Sequence, residues 1–400
     1  MPKIDLITGF LGSGKTTFIR HYAKYLLSRG ERVCILENDY GSINVDALLL
    51  NDLLGDNCDL EMVTAPVGDY DCHRRRYKTK LITLGMLGYT RVIVEPSGIY
   101  DVDEFFDVLH DDPIDRLYEP GSVLAIVDAR LPEKLSDESE YMLVSQTADA
   151  GRVILSRTED ASPEEIRGAV AHLNRAMERF KCRRRFSLPE NEVPAGNGAA
   201  EEHPHSGASD ASARSAKMQH PDLHSVVGNE APASKPLGQQ RPDPHNAVVL
   251  KDWKDFTDDD LRSLADAGIL LSSHVKMPLE DGNGFDSLFS YNVHMTAAQL
   301  RETVKKMFND RKCGHIMRIK GFIPASQAGL KDGFSVETSE TAAAEKSESR
   351  PAWYEVNATR DGLELKPSEA GQEVLIVIGE HLDDKTVHEY LPSSVAPAHG

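Results

Sequence analysis

Along the first 160 positions the apolar residues fall into short runs separated by stretches of helical spacing. Ile4-Asp5-Leu6-Ile7-Thr8 runs straight into a glycine-rich turn. Phe18, Ile19, Tyr22, Leu26 and Leu27 then recur at helical intervals until Gly30. Arg32–Glu37, Arg91–Glu95, Ser122–Asp128 and Gly151–Ser156 are compact, branched and apolar, the signature of strands buried on both faces. Alternating with helical stretches, they predict a mostly parallel α/β sheet flanked by helices. Ligands of such sheets sit at the carboxyl ends of the strands.

Beyond residue 160 the pattern changes. Ser162-Pro163-Glu164-Glu165 opens a helix predicted over 162–181. From about Pro189 to Asn246 large apolar residues are sparse. Such a tract cannot bury enough surface to offset its ordering entropy, and 185–245 is read as a disordered low-complexity insertion. Its histidines (His203, His205, His220, His224, His245) are thinly spread. Ala247–Leu250 and a helix after Thr257 (258–267) complete the first domain through 246–270, which otherwise covers 1–184. Strands at 285–291, 315–323, 352–358 and 373–379, one helix from Thr296 to about Phe308 and a short helix from Asp384 form a smaller α+β domain over 284–395. Glu337–Arg350 reads as a polar surface loop. His294, His315 and His381 read as structural, and nothing in this second domain forms a catalytic constellation, so its expected role is recognition of a partner or cargo.

Composition narrows the classes. With 64 acidic against 45 basic residues and a formal charge of −19, nucleic acid is not the expected partner. Five dispersed cysteines without a C-x-x-C pair suggest reduced thiols and a cytoplasmic protein. No signal peptide is expected ahead of the first strand, and no apolar run reaches the ~20 residues of a membrane span.

The chemistry begins at Gly9–Thr16, which reads G-x-x-x-x-G-K-T between a strand and a helix. Gly9, Gly12 and Gly14 allow the turn that points successive N–H groups, with Ser13, at phosphate oxygens. The following helix, through Thr17, presents its positive end to the same anion. Lys15 is expected to reach the β- and γ-phosphates and Thr16 to ligate Mg²⁺. Glu95 stands at a strand end, where it can hold Mg²⁺ directly or through water. Gly98 allows close backbone approach to the γ-phosphate. Asp39 and Asp46 follow the second strand, and either one could orient a nucleophile; an ordinary acidic loop is the alternative.

Taken in order, these segments resemble the CobW-like P-loop GTPases, relatives of the metallochaperones UreG and HypB. Gly9–Thr17 resembles the family's GFxGxGKTT, Glu37-Asn38-Asp39-Tyr40-Gly41 its ENEFG, and Glu95-Pro96-Ser97-Gly98 its E-[TS]-[ST]-G. The segment ending in Gln146 and Asp149 resembles the one before the base-recognition loop. Ile316–Phe322 resembles the strand that marks the C-terminal domain. Two departures stand out. The family's GCxCC metal motif becomes Gly68-Asp69-Tyr70-Asp71-Cys72. Asp69, Asp71 and Cys72 then form either a mixed site for Zn²⁺, Co²⁺ or Fe²⁺ or a switch loop that binds no metal. The guanine-reading NKxD becomes Ser156-Arg157-Thr158-Glu159, with Glu159 the expected base acceptor and Arg157 a cover for the purine.

The resemblance implies a GTP-binding, slowly hydrolysing metallochaperone or metallocofactor-insertion protein, using GTP and Mg²⁺ and carrying Zn²⁺ or another transition metal. Its partner would be a client metalloenzyme or cofactor-dependent enzyme, and a dimer mate could complete the site. Two alternatives stay open: a GTP-gated docking protein without metal, and a small-molecule kinase with Arg74-Arg75-Arg76 as lid.

Overall fold

The computed structural model describes residues 1–38, 46–63, 70–189, 246–270, 272–277, 285–328, 352–360, 362–369 and 371–392. The histidine-bearing tract from 190 to 245 and the loop at Glu337–Arg350 lie outside them.

The first unit runs β1 (Lys3–Thr8), α1 (Lys15–Ser28), β2 (Val33–Asn38), β3 (Cys58–Val63), α2 (Tyr70–Met86), β4 (Arg91–Pro96), α3 (Val102–Leu109), β5 (Glu119–Asp128), α4 (Asp137–Ala148), β6 (Arg152–Ser156), α5 (Pro163–Arg179), β7 (Val249–Leu250) and α6 (Asp258–Ala265). Its seven strands pair in parallel in the order β3-β2-β4-β1-β5-β6-β7. Helices cover both faces. Phe18, Tyr22, Leu261 and Leu264 from α1 and α6 pack one side, while Tyr77, Phe105, Tyr141 and Leu173 from α2 to α5 pack the other. Because β1 lies between β4 and β5, the loop leaving it opens at the middle of the sheet's carboxyl edge.

One buried charge locks this middle. Asp5, fully buried on β1, accepts from Arg91 (2.7 Å), Tyr22 (2.8 Å) and the Ser122 N–H (2.8 Å). Burial pushes its carboxyl upward against the pull of the Arg91 guanidinium.

The second unit runs β8 (Phe285–Tyr291), α7 (Ala297–Asn309), β9 (His315–Pro324), α8 (Ala325–Ala328), β10 (Trp353–Thr359), β11 (Gly362–Ser368), β12 (Val374–Glu380) and α9 (Asp384–Tyr390). Its antiparallel sheet has the order β11-β10-β9-β12-β8. Side chains alternate along β10 and along β9 from Arg318 onward, past a register shift opposite Ile378 and Gly379. Ile319, Ile323, Val356 and Ala358 enter the helix-covered core, leaving Arg318, Lys320, Glu355 and Asn357 on the opposite face.

The elements depart from expectation in five places. β3 and β11 were not anticipated: both are edge strands carrying charges on their open side, so neither reads as an apolar run. α2 was not anticipated because Arg74-Arg75-Arg76 breaks the run ahead of its buried residues Tyr77, Leu81 and Leu84. β7 is shorter than the predicted 247–250. Residues 185–189, assigned from sequence to the low-complexity tract, are packed. Phe186 is buried, and Ser187 N–H donates to the Asn246 carbonyl (2.9 Å), so the two flanks of the tract leave side by side. Among the described residues no helix is long and apolar enough to cross a membrane.

Candidate functional site: the phosphate-loop cleft

The loop after β1 has the backbone its glycines predict. Gly9 has φ 146°, and a Cβ there would lie 2.2 Å from the Ile126 carbonyl oxygen. Gly14, with φ 96°, is the N-cap of α1, and its left-handed backbone turns the chain into the helix. Lys15 Nζ donates to the Gly9 carbonyl (2.9 Å), fastening the loop across its own mouth. Ser13 Oγ is buried and has no hydrogen-bond partner among the described residues, so a polar group waits inside the loop.

Thr16 Oγ1 donates to Glu95 Oε1 at 2.7 Å. Two hard oxygen donors therefore meet at the head of α1, the donor set that Mg²⁺ prefers. Gly98 lies at the same end, where a Cβ would come 2.7 Å from the Leu11 nitrogen. The buried Gln146 amide donates to the Gly98 carbonyl (3.0 Å), fixing the segment after β4 from α4.

Gly12, Ser13, Gly14, Lys15, Thr16, Thr17, Glu95, Gly98, Ser156 and Arg157 line one cleft of about 550 Å³. Of the other expected site residues, Gly9 lies under the loop against Ile126. Asp39 and Asp69 lie outside the described residues. Asp46 opens a 3₁₀ turn (Asp46–Leu53) that Asp52 ties to Arg20 and Lys24 of α1, at 2.7 and 3.0 Å. The Arg20 hydrogen bond holds the Asp52 carboxyl down at about 2. Asp71 and Cys72 lie in the first turn of α2; Cys72 lines a shallow depression with Met62, Val63, Arg75 and Arg76, apart from the cleft. Arg74, Arg75 and Arg76 are likewise not among the residues lining the cleft, where a kinase lid would need them. Among the described residues no three metal-ligating side chains cluster.

The base end differs from expectation. Glu159 is turned to Lys254 (2.6 Å) and is not among the lining residues, whereas Asp160, one position on, is. The left-handed backbone of Arg157, at φ 55°, redirects the turn, and Asp128 pairs with its guanidinium. Trp253, which sequence reasoning passed over, also lines the cleft; its ring lies 3.6 Å from a Cβ built at Gly14 and packs on Phe18 and Phe256. The only sequence signal was a tryptophan just after a strand of the nucleotide-binding unit.

The second domain adds to the site. Expected from sequence to recognise a partner or cargo, it also supplies a wall of this cleft, with Arg318, Lys320, Glu355, Asn357, Thr359 and Lys366 turned towards it.

A parallel sheet whose central strand feeds an anion-wrapping loop, with a hard-oxygen pair at the helix head, defines the P-loop nucleotide-binding class. Residues 3–187 match the family described as CobW/HypB/UreG, nucleotide-binding domain. Over 183 residues the chain is 28% identical to the zinc chaperone YjiA of Escherichia coli (strain K12), covering 43% of this chain and 54% of that protein. It is 25% identical over 169 residues to the zinc-regulated GTPase metalloprotein activator 1 of Schizosaccharomyces pombe (strain 972 / ATCC 24843), covering 41% and 40%. The match thus spans about half the length of these curated relatives, or less. Among solved structures, Zn(II)-bound YjiA GTPase from E. coli aligns over 98% of both chains at 14% identity and TM-score 0.29. HypB from Helicobacter pylori in complex with nickel aligns over 45% of this chain and 74% of that one, at 16% identity and TM-score 0.30.

Proposed function

We propose that this chain binds and slowly hydrolyses GTP and that its nucleotide state gates the binding of a metal cargo or a client enzyme. The observation that carries this reading is the Thr16–Glu95 pair at the head of α1, in a domain matched to the CobW/HypB/UreG family. The loop amides, the α1 terminus and Lys15 would hold the phosphates. Mg²⁺, held by Thr16 and Glu95, would neutralise charge developing on the transferred phosphoryl group. The protein's own work is positioning, and turnover is expected to be slow until a client or a second copy completes the site. The segments expected from sequence to act as switch loops, 37–46 and 67–78, would be the parts that respond to the γ-phosphate.

Zinc enters as cargo by the names of the relatives. In this chain Asp69, Asp71 and Cys72 are the residues proposed to take it, the carboxylates shifting preference towards harder ions than an all-thiolate site would have. Five free cysteines suit a reducing, cytoplasmic setting.

The test is phosphate release from GTP and ATP with and without Mg²⁺, run beside Zn²⁺, Co²⁺ and Fe²⁺ titrations with and without a non-hydrolysable GTP analogue. Mg²⁺-dependent GTP turnover is expected, with metal affinity that changes with nucleotide and is lost in Asp71→Ala and Cys72→Ala. Turnover without metal binding in any state would replace cargo delivery with GTP-gated docking of a client. Phosphoryl transfer only to a small-molecule acceptor would make the chain a kinase.

A further inference from the structure

The antiparallel sheet is amphipathic, and its polar face has a destination. Along β9 the residues Arg318, Lys320 and Phe322 share one face, opposite the core residues Ile319 and Ile323. Phe322 packs with Val374, Ile376 and Ile378, and Leu11 of the phosphate loop packs against this same apolar patch. Phe10 and Leu11 also meet Phe285 and Met317. The sheet is therefore seated on the tip of the phosphate loop by apolar contact, and its cations face the cleft behind that contact.

Which end of the cleft they face follows from register. Arg318 pairs with Ile378, which shares the apolar cluster with Leu11. The Leu11 nitrogen in turn abuts Gly98, the glycine beyond the Glu95 carboxylate. Arg318 thus stands at the terminal-phosphate end, whereas Asp160 and Trp253 mark the base end. Its charge is kept available. Nε donates to the neutral Asn357 amide oxygen (2.9 Å), and among the described residues no carboxylate lies within ion-pair distance of the guanidinium. Lys366 on the same face is instead tied to Glu364 at 3.0 Å. A planar guanidinium braced at Nε and facing an anion site is suited to bidentate phosphate contact.

We propose that Arg318 is a phosphate-contacting residue supplied in cis by the C-terminal domain, reaching the terminal phosphate of the bound nucleotide from the side opposite the phosphate loop, with Lys320 adding positive potential. This rests on the nucleotide reading above and extends it: the C-terminal sheet becomes the element that distinguishes triphosphate from diphosphate. Because binding coupling is reciprocal, a partner whose docking on that domain depends on the triphosphate would alter triphosphate affinity in turn.

The experiment measures the affinity of the full chain for fluorescent non-hydrolysable GTP and fluorescent GDP, in wild type, Arg318→Ala, Arg318→Lys and, as a control, the exposed Lys305→Ala on α7. Arg318→Ala is expected to weaken the triphosphate about tenfold or more and GDP less than about twofold. Arg318→Lys should recover part of the loss, and Lys305→Ala should match wild type. Equal loss for both nucleotides, or no loss for either, overturns the proposal while leaving nucleotide binding intact. A wild-type chain that binds neither nucleotide overturns the parent reading and this inference together. Where Arg318→Ala fails to fold, Arg318→Gln, which keeps a donor for Asn357, carries the same comparison.

Discussion

The Thr16 hydroxyl donates a 2.7 Å hydrogen bond to the Glu95 carboxylate although the two residues are 79 positions apart in the chain. Thr16 is placed by the first turn of α1 and Glu95 by the carboxyl edge of β4, so sheet order alone brings them together. Removing either oxygen partner should cost turnover without unfolding the protein. Thr16→Ala and Glu95→Gln are expected to lower Mg²⁺-dependent GTP hydrolysis by on the order of 10²-fold, with melting temperatures near wild type. Wild-type turnover in both variants would take this pair out of the chemistry.

Trp253 offers a built-in optical probe. The chain has two tryptophans, and Trp253 lines the cleft beside Gly14, while Trp353 begins β10. Adding nucleotide is expected to change the intrinsic emission, and the change should survive Trp353→Phe but vanish in Trp253→Phe. A response that follows Trp353 instead would show that nucleotide does not reach the ring at 253.

The buried Asp5–Arg91 pair is a stability element with no part in the chemistry. Asp5 has no solvent exposure, and its three protein donors replace water. Arg91→Ala would strand that carboxylate in the sheet and should cost about 3–5 kcal/mol in denaturant unfolding. A loss below about 1 kcal/mol would mean that Tyr22 and the Ser122 N–H suffice.

The two sheets are also joined by a titratable contact. Glu380 on β12 accepts from Ser136 and Ser139 (2.5 Å) at the start of α4 and from His315 Nδ1 (2.8 Å). The Glu380 hydrogen bond raises the His315 pKa above its ordinary 6.5. Burial pushes Glu380 up, but His315 and the two serines outweigh it and hold the carboxyl below its ordinary 4.5. The His315 contribution is complete below 6.5 and is lost as pH rises through its higher folded value. That of Glu380 is complete above 4.5 and is lost as pH falls through its lower folded value. Stability of the C-terminal unit that holds this pair should therefore be greatest between about 4.5 and 6.5, read by thermal unfolding across a pH series. His315→Ala should flatten the alkaline limb, which is shallow because that imidazole is more than half exposed. An unchanged alkaline limb would move the dependence to another group.

Much of this was legible because it is local. Glycines at 9, 12 and 14, a lysine and a threonine in fixed order specify a backbone that only one kind of turn satisfies, and all three glycines take positive φ. Apolar runs such as Val33–Leu36 and Val92–Val94 state their own burial, so the order of buried strands follows from the chain. β3 and β11 gave no such signal: an edge strand is defined by its neighbour, and Asp59, Glu61, Glu364 and Lys366 on their open sides hide it.

The sequence by itself determined that there is a phosphate loop, that Glu95 stands at a strand end near it, and that a second, mostly β domain follows. Those facts rest on residue type, local φ and periodicity, which neighbours in the chain are enough to set. Only the tertiary structure decided that Asp160 rather than Glu159 lines the cleft, that Trp253 borders the loop, and that Arg318 of the second domain lines the same cleft. Each of these depends on where a side chain points once distant segments have packed. For Arg318 that meant Leu11 closing on Ile376 and Ile378, a contact between residues more than 300 positions apart, for which no local pattern exists.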